Sequence, residues 1–293
     1  MDSTWKILDA HVSSSPHSTL KSLEIMTDDE DIECVSEAIG KLISLESLKI
    51  TYCPNLTSLP KSMGSLISLQ KLKMENCPNL SSLGGPFISL QKLKIKDCDK
   101  PVSLPEGIDN LTSLKSLKIY RCFSLASLPE GIGNLTSLEV LSMEICNSLA
   151  SLPDQGMSRL TSLQKLKIDD CPNLESLPDQ GMGCLISLRE LEISMCPKLA
   201  SLPEGIGNLR SLRRLFIYGC SNLTSLPERM SRHTSLQELD ITYCSPILHQ
   251  RCNVETGEDW PKIAHIPNIW ISSPPRPRQD SKSKRHFTCW PMS

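Results

Sequence analysis

The chain has 293 residues, 31 basic and 33 acidic, for a net charge of −2, so no overall charge draws it to nucleic acid or to an anionic membrane surface. The N-terminal stretch lacks an apolar segment of signal-peptide length, and no run reaches membrane-spanning length. The expectation is a cytoplasmic chain with neither nucleic acid nor a membrane as partner.

Residues 1–19 carry little pattern, and Trp5, Ile7, Leu8 and Val12 are expected as the remnant of an upstream unit or as a cap. From Leu20 the chain repeats itself. The stretch 114–138, LKSLKIYRCFSLASLPEGIGNLTSL, returns at 188–212 as LRELEISMCPKLASLPEGIGNLRSL. Nine cysteines mark the period: Cys53, Cys77, Cys98, Cys122, Cys146, Cys171, Cys196, Cys220 and Cys244, with gaps of 21 to 25 residues. Ten units start at Leu20, Leu45, Leu69, Leu90, Leu114, Leu138, Leu163, Leu188, Leu212 and Leu236, and the first has Asp28 where the others have cysteine. Self-similarity at this period specifies a solenoid. The expected fold class is α/β: a leucine-rich-repeat horseshoe over residues 20–248, with one parallel sheet on the concave face and short helical or 3₁₀ turns on the convex face.

Within a unit, apolar residues two apart predict a strand with one buried side. In the unit at Leu114, Leu117 and Ile119 point inward, while Ser116, Lys118 and Tyr120 point out. Beyond the cysteine, the spacing of Leu125, Leu128, Ile132 and Leu135 turns the chain back beneath the strand. One unit buries too little to fold alone, whereas a stack shares its leucines. Proline after the cysteine, as at Pro54, Pro78, Pro172 and Pro197, ends strand pairing because it donates no N–H. A second proline after leucine, as at Pro129 and Pro203, is expected at the first position of a helical turn.

The unit at Leu69 departs from the rule. It reads SSLGGPFISL and is three residues short, so an irregular convex loop is expected around Gly84, Gly85 and Pro86. After the last unit, residues 249–272, with Trp260, Ile263, Ile266, Ile269 and Ile271, are expected to cap the exposed solenoid end. Residues 273–293 are basic and proline-rich, the composition of a disordered tail.

No sign of catalysis emerges. A phosphate-binding loop is missing, and the six histidines are scattered, each expected at the surface. The ladder cysteines fall at one repeat position rather than at metal-ligand or paired spacings, so they are expected as buried free thiols acting as small apolar fillers. The chain is expected to be no enzyme and to carry no cofactor. Five N-x-S/T sites, at Asn55, Asn79, Asn110, Asn134 and Asn222, follow from the N-L-T/S wording of the repeat.

What the repeat does build is a surface. The central outward residues of units one to ten are Glu24, Lys49, Lys73, Lys94, Lys118, Ser142, Lys167, Glu192, Phe216 and Asp240. Four consecutive lysines form a basic ladder, in which neighbours repel on the order of 1 kcal/mol in water. With flanking positions such as Arg121 included, units two to five carry a net +6 and units six to ten a net −4. Lysine also fills exposed strand positions, and charge alone is weak evidence. All four tyrosines, Tyr52, Tyr120, Tyr218 and Tyr243, fall at outward positions and are joined by Phe216; tyrosine is enriched in interface hot spots, although it also favours strands. The candidate protein-binding residues are therefore Lys49, Tyr52, Lys73, Lys94, Lys118, Tyr120, Arg121, Lys167, Phe216, Tyr218 and Tyr243.

From Leu20 to Ile271 the chain resembles the repeat domain of plant intracellular nucleotide-binding leucine-rich-repeat disease-resistance proteins of coiled-coil type. Units such as Leu163–Pro178 and Leu188–Pro203 carry L-x-x-L-x-I-x-x-C-P-x-L-x-S-L-P, and the convex turns at Pro129–Leu135 and Pro203–Leu209 read PEGIGNL. The closing segment Gly257–Ile269, GEDWPKIAHIPNI, is the most specific likeness. The resemblance implies recognition of pathogen effectors, or of host proteins they modify, and restraint of a neighbouring nucleotide-binding switch. The sequence does not contain that switch or a coiled coil. Two other classes stay open: a scaffold binding a small GTPase, and a substrate receptor of a ubiquitin ligase.

Overall fold

Apolar residues two apart form strands whose parallel ladder buries a column of leucines and a column of isoleucines and methionines together. The computed structural model describes residues 20–26 and 39–272; the expectations for residues 1–19 and 273–293, and for Asp28, lie outside them. Among the described residues the strands are β1 (Ser22–Met26), β2 (Ser47–Thr51), β3 (Lys71–Glu75), β4 (Lys92–Lys96), β5 (Ser116–Tyr120), β6 (Val140–Glu144), β7 (Lys165–Asp169), β8 (Glu190–Ser194), β9 (Arg214–Tyr218), β10 (Glu238–Thr242) and β11 (Asn268–Ser272). They form one open parallel sheet in sequence order. Every strand is five residues long and pairs without a slip, so Leu117 faces Leu93 and Leu141, and Ile119 faces Ile95 and Met143.

The core is a set of columns that run through the stack. Residues two and four of each unit's strand, the cysteine, the leucines that follow it and one convex residue are all buried, as with Leu117, Ile119, Cys122, Leu125, Leu128 and Ile132. In the column three residues after the cysteine, Leu80 and Leu125 are flanked in register by Pro101, the one unit between Leu56 and Leu223 that lacks a leucine there.

Between strand and cysteine the chain turns through a left-handed residue. Tyr52, Asn76, Asp97, Arg121, Ile145, Asp170, Met195 and Tyr243 have φ between 51° and 58°, and Gly219 has φ 67°. Such a conformation costs a non-glycine residue about 1–2 kcal/mol. It is held by a repeated bond: the N–H of each corner residue donates to the carbonyl of the last strand residue in the next unit, as from Tyr52 to Glu75 at 3.0 Å and from Arg121 to Glu144 at 2.8 Å. The same corner turns each thiol back onto its own strand. Cys53 donates to the Thr51 carbonyl at 3.4 Å, Cys122 to Tyr120 at 3.7 Å and Cys196 to Ser194 at 3.3 Å. The ladder cysteines are thus more than fillers.

The convex side differs from expectation in one respect. Proline stands at the N-cap, one residue before the helical turn, at Pro60, Pro129, Pro153, Pro178, Pro203 and Pro227. The first turn residue is usually acidic, and its carboxylate reaches the next rung. Asp154 accepts from the Gly181 N–H at 2.7 Å and Asp179 from Gly205 at 2.8 Å, while Glu204 accepts from both Glu228 and Arg229 at 2.9 Å. Each carboxylate therefore satisfies turn donors that have no partner of their own. The short unit at Leu69 forms no helical turn; Ser82 instead bridges to Ser58 and Glu106, and Phe87 fills the convex column. Gly84, at φ 70°, lies so close to Leu59 that a Cβ would sit 1.6 Å from its carbonyl oxygen.

Two histidines are buried, contrary to the surface placement expected of them. His233 falls where other units place the leucine that closes the convex turn, as at Leu209. It is 2% exposed and donates from Nε2 to the Ile206 carbonyl at 2.7 Å. His249 is buried in the helix Pro246–Arg251. The segment expected as the cap also does more than cover leucines: through Asn268–Ser272 it extends the sheet by a strand.

Candidate functional site on the concave face

The register brings the candidate lysines into line. Lys49, Lys73, Lys94 and Lys118 occupy the central position of β2 to β5 and face one another across the ladder. Neighbouring strands lie about 4.8 Å apart. A concavity of about 400 Å³ runs over these strands, lined by Lys49, Lys71, Lys73, Lys92, Lys94 and Lys118.

The lysines are not equivalent. Glu75, whose side chain is 10% exposed, meets Lys73 at 3.0 Å, Lys96 at 3.3 Å and Lys49 at 3.5 Å. Burial alone raises a carboxyl pKa; the lysine hydrogen bonds and charges outweigh it and hold Glu75 below its ordinary value. Lys49 also binds Glu24 at 2.6 Å, and this hydrogen bond lifts the Lys49 pKa. Among the described residues no carboxylate lies within 4.0 Å of Lys94 or Lys118. Burial, together with the like charges of Lys73, Lys96 and Lys118, pulls the Lys94 pKa down against the pull of Glu75. Its ammonium sits 5.8 Å from the centroid of the Tyr120 ring, and Lys96 sits 5.9 Å from the same ring. Arg121 pairs with Asp97 at 2.9 Å and lies 5.6 Å from the Phe123 ring.

In the acidic half the pattern inverts. Lys167 is only 17% exposed and meets Glu144 at 3.3 Å and both Asp169 and Glu192 at 3.5 Å. Burial opposes its charge, but the three carboxylates raise its pKa. Lys167 thus ties β6, β7 and β8 together across the face. Between the halves, Ser142 is buried and donates to Glu144 at 2.7 Å.

The C-terminal end is aromatic. Phe216 faces Asp240, which faces Trp270 of β11. Tyr218 and Tyr243 pack at 5.2 Å between ring centroids, tilted by 53°. Tyr52 stands apart at the other end, 55% exposed, on its left-handed corner. Sequence reasoning missed Glu75 as the hub of the lysines, and it missed Trp270, which is 50% exposed and in register with Asp240. The signal for Trp270 was present: Ile269-Trp270-Ile271 repeats the inward–outward–inward order of the unit strands.

Among the described residues, no group of three or more His, Cys, Asp or Glu side chains is arranged to hold a metal ion, and no helix is long and apolar enough to cross a membrane. A family model for the leucine-rich repeat region matches residues 6–167 and 120–271. No curated protein matches significantly. Among solved structures, a leucine-rich repeat protein of Leptospira interrogans is similar at 26% identity and a TM-score of 0.61, over 80% of this chain and 58% of its own. The chain thus spans little more than half of that protein. A structure of a TLR13–ssRNA13 complex is similar at 18% identity and a TM-score of 0.51, over 86% of this chain and 44% of its own, a likeness of fold. The leucine-rich repeat domain of the type III effector XopL aligns at 24% identity and a TM-score of 0.45, over 78% of this chain and 77% of its own.

Proposed function

The chain belongs to the leucine-rich repeat family, whose domains are generally protein-binding scaffolds, and from that premise we propose that its concave face recognises an acidic protein segment. The observation that carries this is the pair Lys94 and Lys118: adjacent rungs, one charge sign, and no carboxylate within reach among the described residues. Glu75 holds Lys73 and Lys96 in place around them. A partner carboxylate would relieve the repulsion that the fold leaves uncompensated. Phe216, Tyr218, Tyr243 and Trp270 form a second, apolar contact at the far end of the face.

The setting we propose is plant innate immunity, in the cytoplasm. The module would serve as the recognition part of an immune receptor, sensing an effector or a guarded host protein and restraining a nucleotide-binding switch. Support for that setting is the wording of the repeats and of Gly257–Ile269. The test is a pull-down from infected and healthy plant extract, paired with binding of the purified nucleotide-binding domain of such a receptor. Charge reversal at Lys73, Lys94 and Lys118 is expected to abolish capture and its salt dependence; capture unchanged by the triple variant overturns the reading.

A further inference from the structure

The flank where each unit enters its strand carries a second pattern of charge. The residue just before each of β1 to β10 is, in order, Lys21, Glu46, Gln70, Gln91, Lys115, Glu139, Gln164, Arg189, Arg213 and Gln237. Where charged residues are neighbours in this column, they are of opposite sign and paired: Lys21 with Glu46 at 2.6 Å, and Lys115 with Glu139 at 3.7 Å. Arg189 and Arg213 break that rule. They stand on adjacent rungs with the same sign, and Arg210 joins them from the preceding turn.

These three arginines line a groove of about 470 Å³ together with Ser211, Ser235 and His265. No carboxylate lines it, and among the described residues none lies within 4.0 Å of the three guanidinium groups. The buried Oγ of Ser235 has no hydrogen-bond partner. The His265 ring is fixed at the wall by donating from Nε2 to the His233 carbonyl at 2.6 Å. An uncompensated cation cluster beside an orphan hydroxyl is complementary to a compact anion. Guanidinium forks match the oxygen edges of phosphate, and a dianion balances more of the three charges than a carboxylate does. A nucleic-acid strand fits less well. It needs a longer basic track and aromatic platforms, whereas the next residues along the flank are the neutral Gln164 and Gln237, and the groove has no aromatic ring beyond the imidazole of His265.

We propose that this groove is a binding site for a phosphate monoester dianion. Its charge argument is independent of the concave face and stands whether or not that face binds protein. Two sources share the chemistry, a phosphorylated side chain of a peptide and a soluble phosphorylated metabolite. The experiment distinguishes them.

The whole chain is titrated with a fluorescent phosphoserine peptide, with its unphosphorylated twin, with inositol hexakisphosphate and with a short single-stranded RNA, at physiological salt. Phosphoserine binding at least tenfold tighter than that of its twin, lost on Arg189→Gln with Arg213→Gln, supports the site and names a peptide source. Inositol hexakisphosphate binding with the same arginine dependence, and no phosphopeptide binding, supports the site and names a small-molecule source. Phosphorylated ligands that bind no better than the unphosphorylated peptide, or equally well to the double variant, overturn the proposal. So does RNA binding that outcompetes both and strengthens with length. Because both arginines are exposed, an unchanged unfolding midpoint of the double variant serves as the folding control.

Discussion

The carboxylate of Asp259 accepts a 2.8 Å hydrogen bond from the backbone N–H of Leu226, a residue 33 positions earlier in the chain. The contact fastens the closing segment to the last full unit. Arg251 reaches the same carboxylate at 2.9 and 3.2 Å and Lys262 at 2.8 Å, and Lys262 in turn donates to the Leu226 carbonyl at 2.8 Å. Asp259 itself is fully buried.

Removing one partner from such a network leaves buried charge uncompensated. Asp259→Asn is therefore expected to cost about 3 kcal/mol, read as a lower urea midpoint and faster amide exchange in β10 and β11. Burial alone would raise the Asp259 pKa, but the hydrogen bonds from Arg251, Lys262 and Leu226 outweigh it and hold the carboxyl below its ordinary value. Its stabilisation is thus complete above the unfolded carboxylate pKa of about 4 and is lost as pH falls through the lower folded value. The variant should lose that acid-sensitive component.

His233 gives a second acid sensitivity, at higher pH. Burial, against the bond to Ile206, pushes its pKa down, and His265 adds to the effect. The neutral ring stabilises the fold above the unfolded histidine pKa of about 6.5, and that contribution is lost as pH falls toward the depressed folded value. His233→Leu places in this column the residue found at Leu209 and is expected to flatten the dependence of the thermal midpoint between pH 7 and pH 5. A midpoint that falls equally in variant and parent over that range sinks the assignment.

The left-handed corners predict opposite outcomes at two positions. Ile145 is β-branched at φ 58°, where other rungs use Asn76, Asp97 and Asp170. Ile145→Asn should stabilise the chain by about 0.5–1 kcal/mol, because asparagine visits this region at lower cost. Gly84→Ala should destabilise it by at least about 2 kcal/mol, since φ is 70° and the new methyl would meet the Leu59 carbonyl. Urea unfolding of the two variants measures both.

Among the described cysteines the ladder thiols are buried, whereas Cys184 is partly accessible. Burial pushes the Cys98 pKa up to about 11 and those of Cys122 and Cys196 up to about 12. Only thiolate reacts, so mass-mapped alkylation at pH 8 should modify Cys184 at least tenfold faster than Cys98, Cys122 or Cys196. Equal rates would mean that the stack opens more readily than its packing implies.

Some of this architecture is forced by composition and spacing alone. Leucines at fixed offsets have one way to leave water together, which sets the parallel register, and the register sets Lys49, Lys73, Lys94 and Lys118 in line. The strand alternation even marked Trp270, had the cap been held to the same pattern as the units. The partners of each charge are a different matter. Glu75 gathers Lys49, Lys73 and Lys96, and Lys167 gathers Glu144, Asp169 and Glu192, because side chains on three strands converge within a few ångströms. No count of charge along one strand contains that distance. The same holds for His233, which is polar by type but buried because the stack left a leucine position for it to fill. Arg189 and Arg213 likewise become neighbours only when residues 24 apart are laid side by side. Apolar burial is set by spacing within each unit and so is legible locally; ion pairing depends on side-chain reach between units, and only the folded stack determines it.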